Sequence, residues 1–137
     1  MIGPSEAHRK LVIQFLKFGV IGLGGFFVDY AFFHVGLDLH GLGHYWSAVF
    51  SFPFGATITW IGNRLFTFRG KHAGRASAQW AKFLVACAIG FAINRGTYAL
   101  LTATIPLVYH FPVIGLMAGT GTAMFFNFFA ARKMVFR

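Results

Sequence analysis

The sequence predicts an all-α membrane protein with four transmembrane helices, and three observations support this fold class. Hydrophobic residues make up 57% of the chain and charged residues only 11%, whereas a soluble domain has about 25%. The apolar residues form four runs, each near the ~20 residues that a helix needs to cross a bilayer. Eleven of the twelve Lys and Arg residues flank these runs on one side. A chain of 137 residues is expected to form one domain, and this composition excludes an ordinary soluble globule.

The four predicted spans follow one another with short connections. They run from about Phe18 to Leu37, Tyr45 to Phe66, Phe83 to Ile105, and Phe111 to Ala131. These runs are too long for the strands of a membrane barrel, and they do not alternate between polar and apolar residues. The first run is not expected to be a cleaved signal peptide, because it is too long and carries Asp29.

The basic residues predict the orientation. Lys and Arg accumulate in the cytoplasmic segments of membrane proteins. Here they precede the first span, separate the second from the third, and follow the fourth, whereas the connections 38–44 and 106–110 contain none. Both termini are therefore expected on the cytoplasmic side of the inner membrane. The same pattern accounts for the net charge of +9 without a nucleic-acid partner.

The two halves of the chain resemble each other, with one repeat at about 12–69 and the other at about 77–137. The corresponding pairs are Lys17 and Lys82, Phe18 and Phe83, and Gly25 and Gly90 at an offset of 65, then Arg64 and Arg132, and Phe68 and Phe136 at an offset of 68. Because each half contains two spans, both halves insert the same way up. The sequence therefore predicts two parallel helical-hairpin repeats.

Small or short polar residues recur at every fourth position of the second and fourth spans. The two sets are Ser47, Ser51, Gly55, Thr59 and Asn63, and Gly115, Gly119, Ala123, Asn127 and Ala131. Such a ridge lets helix backbones approach closely, so it predicts helix packing. The alternative is a functional groove lined by Thr59, Asn63 and Asn127.

Two ionisable residues lie deep in the spans. Asp29 is 12 residues beyond Lys17, and Arg95 is 13 beyond Lys82, which places both about 18–20 Å past those lysines. An unpaired charge at this depth costs at least ~2.5–3.5 kcal/mol. Asp29 and Arg95 can therefore be expected to pair, with Asn94 close enough to hydrogen-bond to either. Two interpretations stay open, a structural ion pair and a polar station for a substrate headgroup or a proton.

Four basic residues occupy equivalent ends of the two repeats, namely Lys17, Arg64, Lys82 and Arg132. They satisfy the positive-inside rule and attract anionic lipid. The alternative is a clamp for a lipid phosphate, because the arginine fork matches the phosphate oxygens.

These patterns resemble the GtrA-like family of small four-span membrane proteins. The first span carries Lys17 and Phe18, then glycines, then Asp29, and the second span ends in the run NRLFTFR at 63–69. The resemblance covers about residues 12–137. The fourth span departs from the pattern at Ala131, where a second asparagine is missing.

The resemblance implies a role in cell-surface polysaccharide synthesis or glycosylation. The protein would move a polyprenyl-phosphate-linked monosaccharide across the cytoplasmic membrane, or serve as an accessory anchor that recruits a glycosyltransferase. A further alternative is a small proton-coupled cation exporter that uses Asp29. By position, the resemblance points to Asp29, Asn63, Arg64, Asn94, Asn127 and Arg132.

The chain contains no recognisable catalytic constellation. It has three acidic residues and one cysteine, Cys87, and no phosphate-binding loop, GxSxG or CxxC motif. We therefore expect no enzyme activity, no cofactor and no metal site. Four helices enclose little space. If the chain forms a transport pathway, we therefore expect a homodimer or a complex with a partner.

Overall fold

The computed structural model describes residues 1–71 and 74–136, and all regular secondary structure in these ranges is helical. The five α-helices, three of which continue into a π-helical turn, are α1 (Pro4–His34, then Val35–Leu39), α2 (His44–Gly62, then Asn63–Thr67), α3 (Ala76–Thr104), α4 (Pro106–His110) and α5 (Pro112–Ala130, then Ala131–Val135). The prediction of an all-α protein is confirmed.

Within residues 1–71 and 74–136, three helical stretches are long and apolar enough to cross a membrane, namely Pro4–Leu39, Ala76–Thr104 and Pro112–Val135. They cover the first, third and fourth predicted spans to within one residue at each end. The second predicted span lies on α2, whose 19 residues include several hydroxyl side chains and Pro53. These residues lower its mean hydropathy, so the count of four spans stays a prediction.

The connection at 106–110 differs from the sequence-based prediction, because it forms the short helix α4 instead of a loop. Pro106 begins this helix. Proline is favoured there because its φ is already helical and its missing N–H has no partner in a first turn. The connection between α1 and α2 turns at Gly41, whose φ of +64° is one that residues with a Cβ rarely adopt.

The four long helices pack as two hairpins, α1 with α2 and α3 with α5. The backbones approach closely at glycines, because a Cβ on Gly25 would lie 2.9 Å from the carbonyl oxygen of Gly55. In the second hairpin, a Cβ on Gly119 would lie 2.6 Å from the carbonyl oxygen of Asn94. The ridge of small residues therefore packs helix against helix, as the sequence predicts.

An aromatic cluster joins the two hairpins at one end of the bundle. It consists of Phe18, Phe68, Phe83, Phe128 and Phe136, each at most 5% exposed. Phe68 of the first hairpin stacks on Phe136 of the second with ring centroids 4.8 Å apart, and Phe18 contacts Phe128 edge-on at 5.6 Å. Such pairs contribute about 0.5–1.5 kcal/mol each beyond their buried area. We call this end of the bundle the aromatic end.

Matching π turns bring two of these rings inward. The residue after each turn donates its peptide N–H to the carbonyl five residues earlier. Phe68 donates to Asn63 and Phe136 donates to Ala131, both at 2.8 Å. The two turns lie 68 residues apart, which is the offset between the sequence repeats. The second turn forms with Ala131, so the turn does not require the Asn63 side chain.

The outer surface of the bundle is strongly apolar. Large hydrophobic side chains are exposed on every long helix, including Phe27 (62%), Val49 (48%), Val85 (60%) and Met117 (70%). A soluble monomer rarely exposes apolar patches of this extent. This surface and the long apolar helices indicate a multi-pass membrane protein.

Candidate functional site

A cavity of about 580 Å³ lies between the two hairpins, and α1, α2, α3 and α5 all contribute to its walls. We call it the central cavity. Its walls are mostly glycine, alanine and phenylalanine. The polar side chains that line it are Asp29, Thr59, Asn94, Thr120 and Asn127.

The polar groups of the central cavity are only partly satisfied. The Asn94 amide donates to the Thr120 hydroxyl at 3.3 Å, and the Thr59 hydroxyl donates to the carbonyl of Gly55 at 2.9 Å. In contrast, one carboxylate oxygen of Asp29 and the amide oxygen of Asn127 are buried and accept no hydrogen bond. Since buried polar atoms in proteins are nearly always paired, these two unpaired acceptors mark the polar part of the cavity wall.

The repeat brings Asp29 and Asn94 into the same cavity, together with Thr59 and Asn127. The sequence analysis predicts two sets of polar residues within the membrane, one of Thr59, Asn63 and Asn127 and one of Asp29, Asn94 and Arg95. The structure places Asn63 and Arg95 elsewhere.

The prediction that Asn63 lines a groove is wrong. Asn63 is 0% exposed, and its amide is used within α2 and the π turn. Its Nδ2 donates to the carbonyl of Thr59 at 2.9 Å, and its Oδ1 accepts from the Thr67 hydroxyl at 2.7 Å. Because both ends of the amide are paired, Asn63 stabilises the end of α2.

The predicted pair of Asp29 and Arg95 does not form. The Arg95 side chain is exposed on α3, and its guanidinium lies 5.3 Å from the centre of the Phe91 ring. Consecutive residues of a helix point about 100° apart, so Arg95 faces outward where Asn94 faces the cavity. In the described part of the chain an acid–base contact is found instead between His34 Nδ1 and a carboxylate oxygen of Asp38, at 3.3 Å.

The four predicted phosphate-binding cations all lie at the aromatic end. Lys17 and Lys82 are exposed and immediately precede two rings of the aromatic cluster. Arg64 and Arg132 are half-buried and lie in the two π turns. The fold therefore gathers these four positive charges around one end of the bundle.

One buried residue at this end was missed by the sequence analysis. Gln79 is 2% exposed. Its Oε1 accepts from the Arg64 guanidinium and, at 3.2 Å, from the indole N–H of Trp60, and its Nε2 donates to the carbonyl of Val135 at 3.3 Å. The Arg64 guanidinium also lies 5.6 Å from the Trp60 ring centre. Gln79 therefore holds Arg64 of the first hairpin against the second.

The sequence repeat contains a signal for this residue, because Gln14 corresponds to Gln79 at the offset of 65. This correspondence does not tell which of the two glutamines is buried. In the described structure Gln14 is half-buried and its side chain makes no hydrogen bond.

Replacing Gln79 with leucine is expected to destabilise the protein by about 1–3 kcal/mol, because three polar groups lose their partner. Thermal unfolding of the purified protein in detergent measures the effect. Gln14→Leu is the matched control and is expected to change the midpoint little. Equal shifts for the two variants would contradict the role assigned to Gln79.

A second cavity of about 440 Å³ lies on the outside of the first hairpin. Its lining combines one cation with apolar side chains, namely Lys17 with Ile13, Leu16, Val20, Ile21 and Phe66. We call it the lateral groove. An apolar groove beside a single ammonium group matches an amphiphile with an anionic head.

The chain matches one family model, described as GtrA/DPMS, transmembrane domain, over residues 17–136. A comparison with curated proteins gives no match. The matched region contains the second hairpin, the first hairpin from residue 17 onward, the central cavity and the four cations of the aromatic end.

Proposed function

Because this chain belongs to the GtrA/DPMS transmembrane-domain family, we propose that it moves a polyprenyl-phosphate-linked monosaccharide across the cytoplasmic membrane. Membership of the family indicates a membrane protein involved in lipid-linked sugar or polysaccharide synthesis, and members of this family are generally non-catalytic. The observation that carries the proposal is the central cavity, which offers buried polar groups inside a body whose exterior is apolar.

The proposal includes four membrane spans with both termini in the cytoplasm. Two observations support this topology. The helix α2 packs along α1 over the length of α2, and the basic residues gather at the aromatic end. The two π turns and the glycine contacts recur in both halves. They support a duplicated hairpin whose two copies insert the same way up.

Labelling of single cysteines tests this topology. In a Cys87→Ala background, we expect His40→Cys to react with a membrane-impermeant thiol reagent on intact cells, and Arg75→Cys to react only after lysis. Since positions 40 and 75 flank α2, reaction of both variants from the same side would contradict the crossing of α2 and the count of four spans.

The phosphate of the lipid is proposed to bind at the aromatic end, on the four cations Lys17, Arg64, Lys82 and Arg132. Arg64 is held in place by Gln79 and Trp60, so little side-chain freedom is lost when it binds an anion. The guanidinium fork matches two phosphate oxygens at once. The polyprenyl chain would lie on the apolar exterior, with the lateral groove beside Lys17 as its entry.

The spacing along the helices connects the phosphate site to the central cavity. Thr59 and Asn127 each lie five residues before Arg64 and Arg132, which is about 7.5 Å along a helix. A phosphate on the arginines would therefore place the attached sugar at the near end of the central cavity. Passage to the other leaflet would then lead past Asp29 and Asn94.

A crossing assay in liposomes tests the proposal. The purified chain is reconstituted, the lipid-linked sugar is placed in one leaflet, and its appearance in the other leaflet is followed with a reagent that cannot cross. Protein-dependent crossing is expected without any other protein. A homodimer would also provide such a pathway. The oligomeric state of the same purified preparation tests whether the homodimer forms.

The second candidate is an accessory anchor for a glycosyltransferase. It is favoured by the exposed basic residues between α2 and α3, namely Arg69, Lys71 and Arg75, which offer a charged surface for a protein. Co-purification with a transferase, together with no crossing by the chain alone, is the result that would favour it.

A further inference from the structure

Two hydrogen-bond acceptors in the wall of the central cavity lack donors. The buried carboxylate oxygen of Asp29 and the buried amide oxygen of Asn127 come from opposite hairpins, and neither accepts a hydrogen bond. Among the described residues that line the cavity, Asp29 is the only one with an acidic side chain, and none has a basic side chain. Arg95, which follows Asn94 in the sequence, is not among the lining residues, and its guanidinium lies over the Phe91 ring.

This arrangement favours one kind of ligand group over another. A buried acceptor is costly unless a donor meets it, and sugar hydroxyls are donors. An acidic sugar would instead bring a second carboxylate next to Asp29, where no lining cation offsets the repulsion. Selectivity of this kind comes from the penalty against the wrong ligand as much as from contacts to the right one.

We propose that the central cavity selects uncharged, hydroxyl-rich sugar headgroups and rejects acidic ones through the carboxylate of Asp29. The inference rests on the proposed function in taking a lipid-linked sugar as the ligand. It adds which headgroups enter the cavity and which residue discriminates between them.

Displacement binding tests the selection. The full chain in lipid nanodiscs is loaded with labelled polyprenyl-phosphate glucose, which is then displaced by the unlabelled glucose lipid or by the matching glucuronate lipid. Phosphate and polyprenyl chain are the same in both, so only the headgroup differs. We expect the glucuronate lipid to need a concentration about tenfold higher or more for equal displacement, as for a repulsive contact with a buried charge.

Two isosteric variants change the carboxylate count of the cavity in opposite directions. Asp29→Asn is expected to bring the two lipids within about twofold of each other, because the repulsion is removed. Asn127→Asp adds a second carboxylate and is expected to widen the preference for glucose. Asp38→Asn is the matched control, because Asp38 is an exposed acid paired with His34 outside the cavity.

The outcomes separate this inference from the proposed function. Equal displacement by the two lipids in the native chain, an unchanged preference in Asp29→Asn, or no binding of either lipid would overturn the selection. Crossing is measured independently in liposomes. A headgroup preference without crossing would overturn transport alone, and crossing without a preference would overturn the selection alone.

Discussion

Replacement of both Arg64 and Arg132 by glutamine is expected to abolish crossing of the lipid-linked sugar. The two residues occupy equivalent π turns, and each turn is followed directly by a ring of the aromatic cluster. Each charge-assisted bond to a phosphate contributes about 1.5–3 kcal/mol, so loss of both should slow crossing by about a hundredfold or more. The rate is measured in liposomes that hold equal amounts of folded protein.

The matched control removes the same number of charges from the same side of the chain. Arg69 and Arg75 are exposed residues beyond the first π turn, and Arg69→Gln with Arg75→Gln is expected to leave crossing within about twofold, as for solvated charges. If both double variants lost activity equally, the effect would come from net charge. If Arg64→Gln with Arg132→Gln stayed active, the phosphate would bind elsewhere.

The second large effect is expected at the glycine contacts within the hairpins. Leucine at Gly25 would overlap the Thr59 hydroxyl and approach the carbonyl of Gly55, and leucine at Gly119 would overlap the carbonyl of Asn94. Backbone atoms cannot move aside without shifting a helix. Each variant is expected to lose about 1–3 kcal/mol or more of stability, or to fail to fold, as judged by unfolding in detergent.

The neighbouring glycines provide controls on the same helices. A Cβ on Gly24 or Gly121 would meet nothing within 4 Å, so leucine at either position is expected to be tolerated. If leucine at Gly24 or Gly121 lowered the stability as much as leucine at Gly25 or Gly119, the effect would not come from the close approach of the helices. The contrast therefore tests the packing of each hairpin separately.

Much of this fold follows from sequence patterns with a direct physical basis. Long apolar runs predict the helices, and the ridges of small residues that include Gly55 and Gly119 predict the close helix contacts. The ends of elements were less predictable. The helix at 106–110 and the π turns depend on local hydrogen bonds, such as that from Phe68 to the carbonyl of Asn63, that hydropathy does not report.

The candidate site could likewise be predicted only in part. The repeat predicts the common depth of Asp29 and Asn94, and both line the central cavity. Depth along a helix does not give direction around it, however, so the sequence could not tell that Arg95 faces outward. Gln79 was missed because its partners Trp60 and Val135 come from other helices, and such contacts exist only after packing.

The central claim is that this chain alone moves a lipid-linked sugar between leaflets. The most direct measurement follows polyprenyl-phosphate glucose from one leaflet to the other in liposomes that contain only the purified chain, with protein-free liposomes as the reference. The account predicts crossing that rises with the amount of folded chain. Crossing no faster than in protein-free liposomes, with the chain folded and correctly oriented, would contradict it.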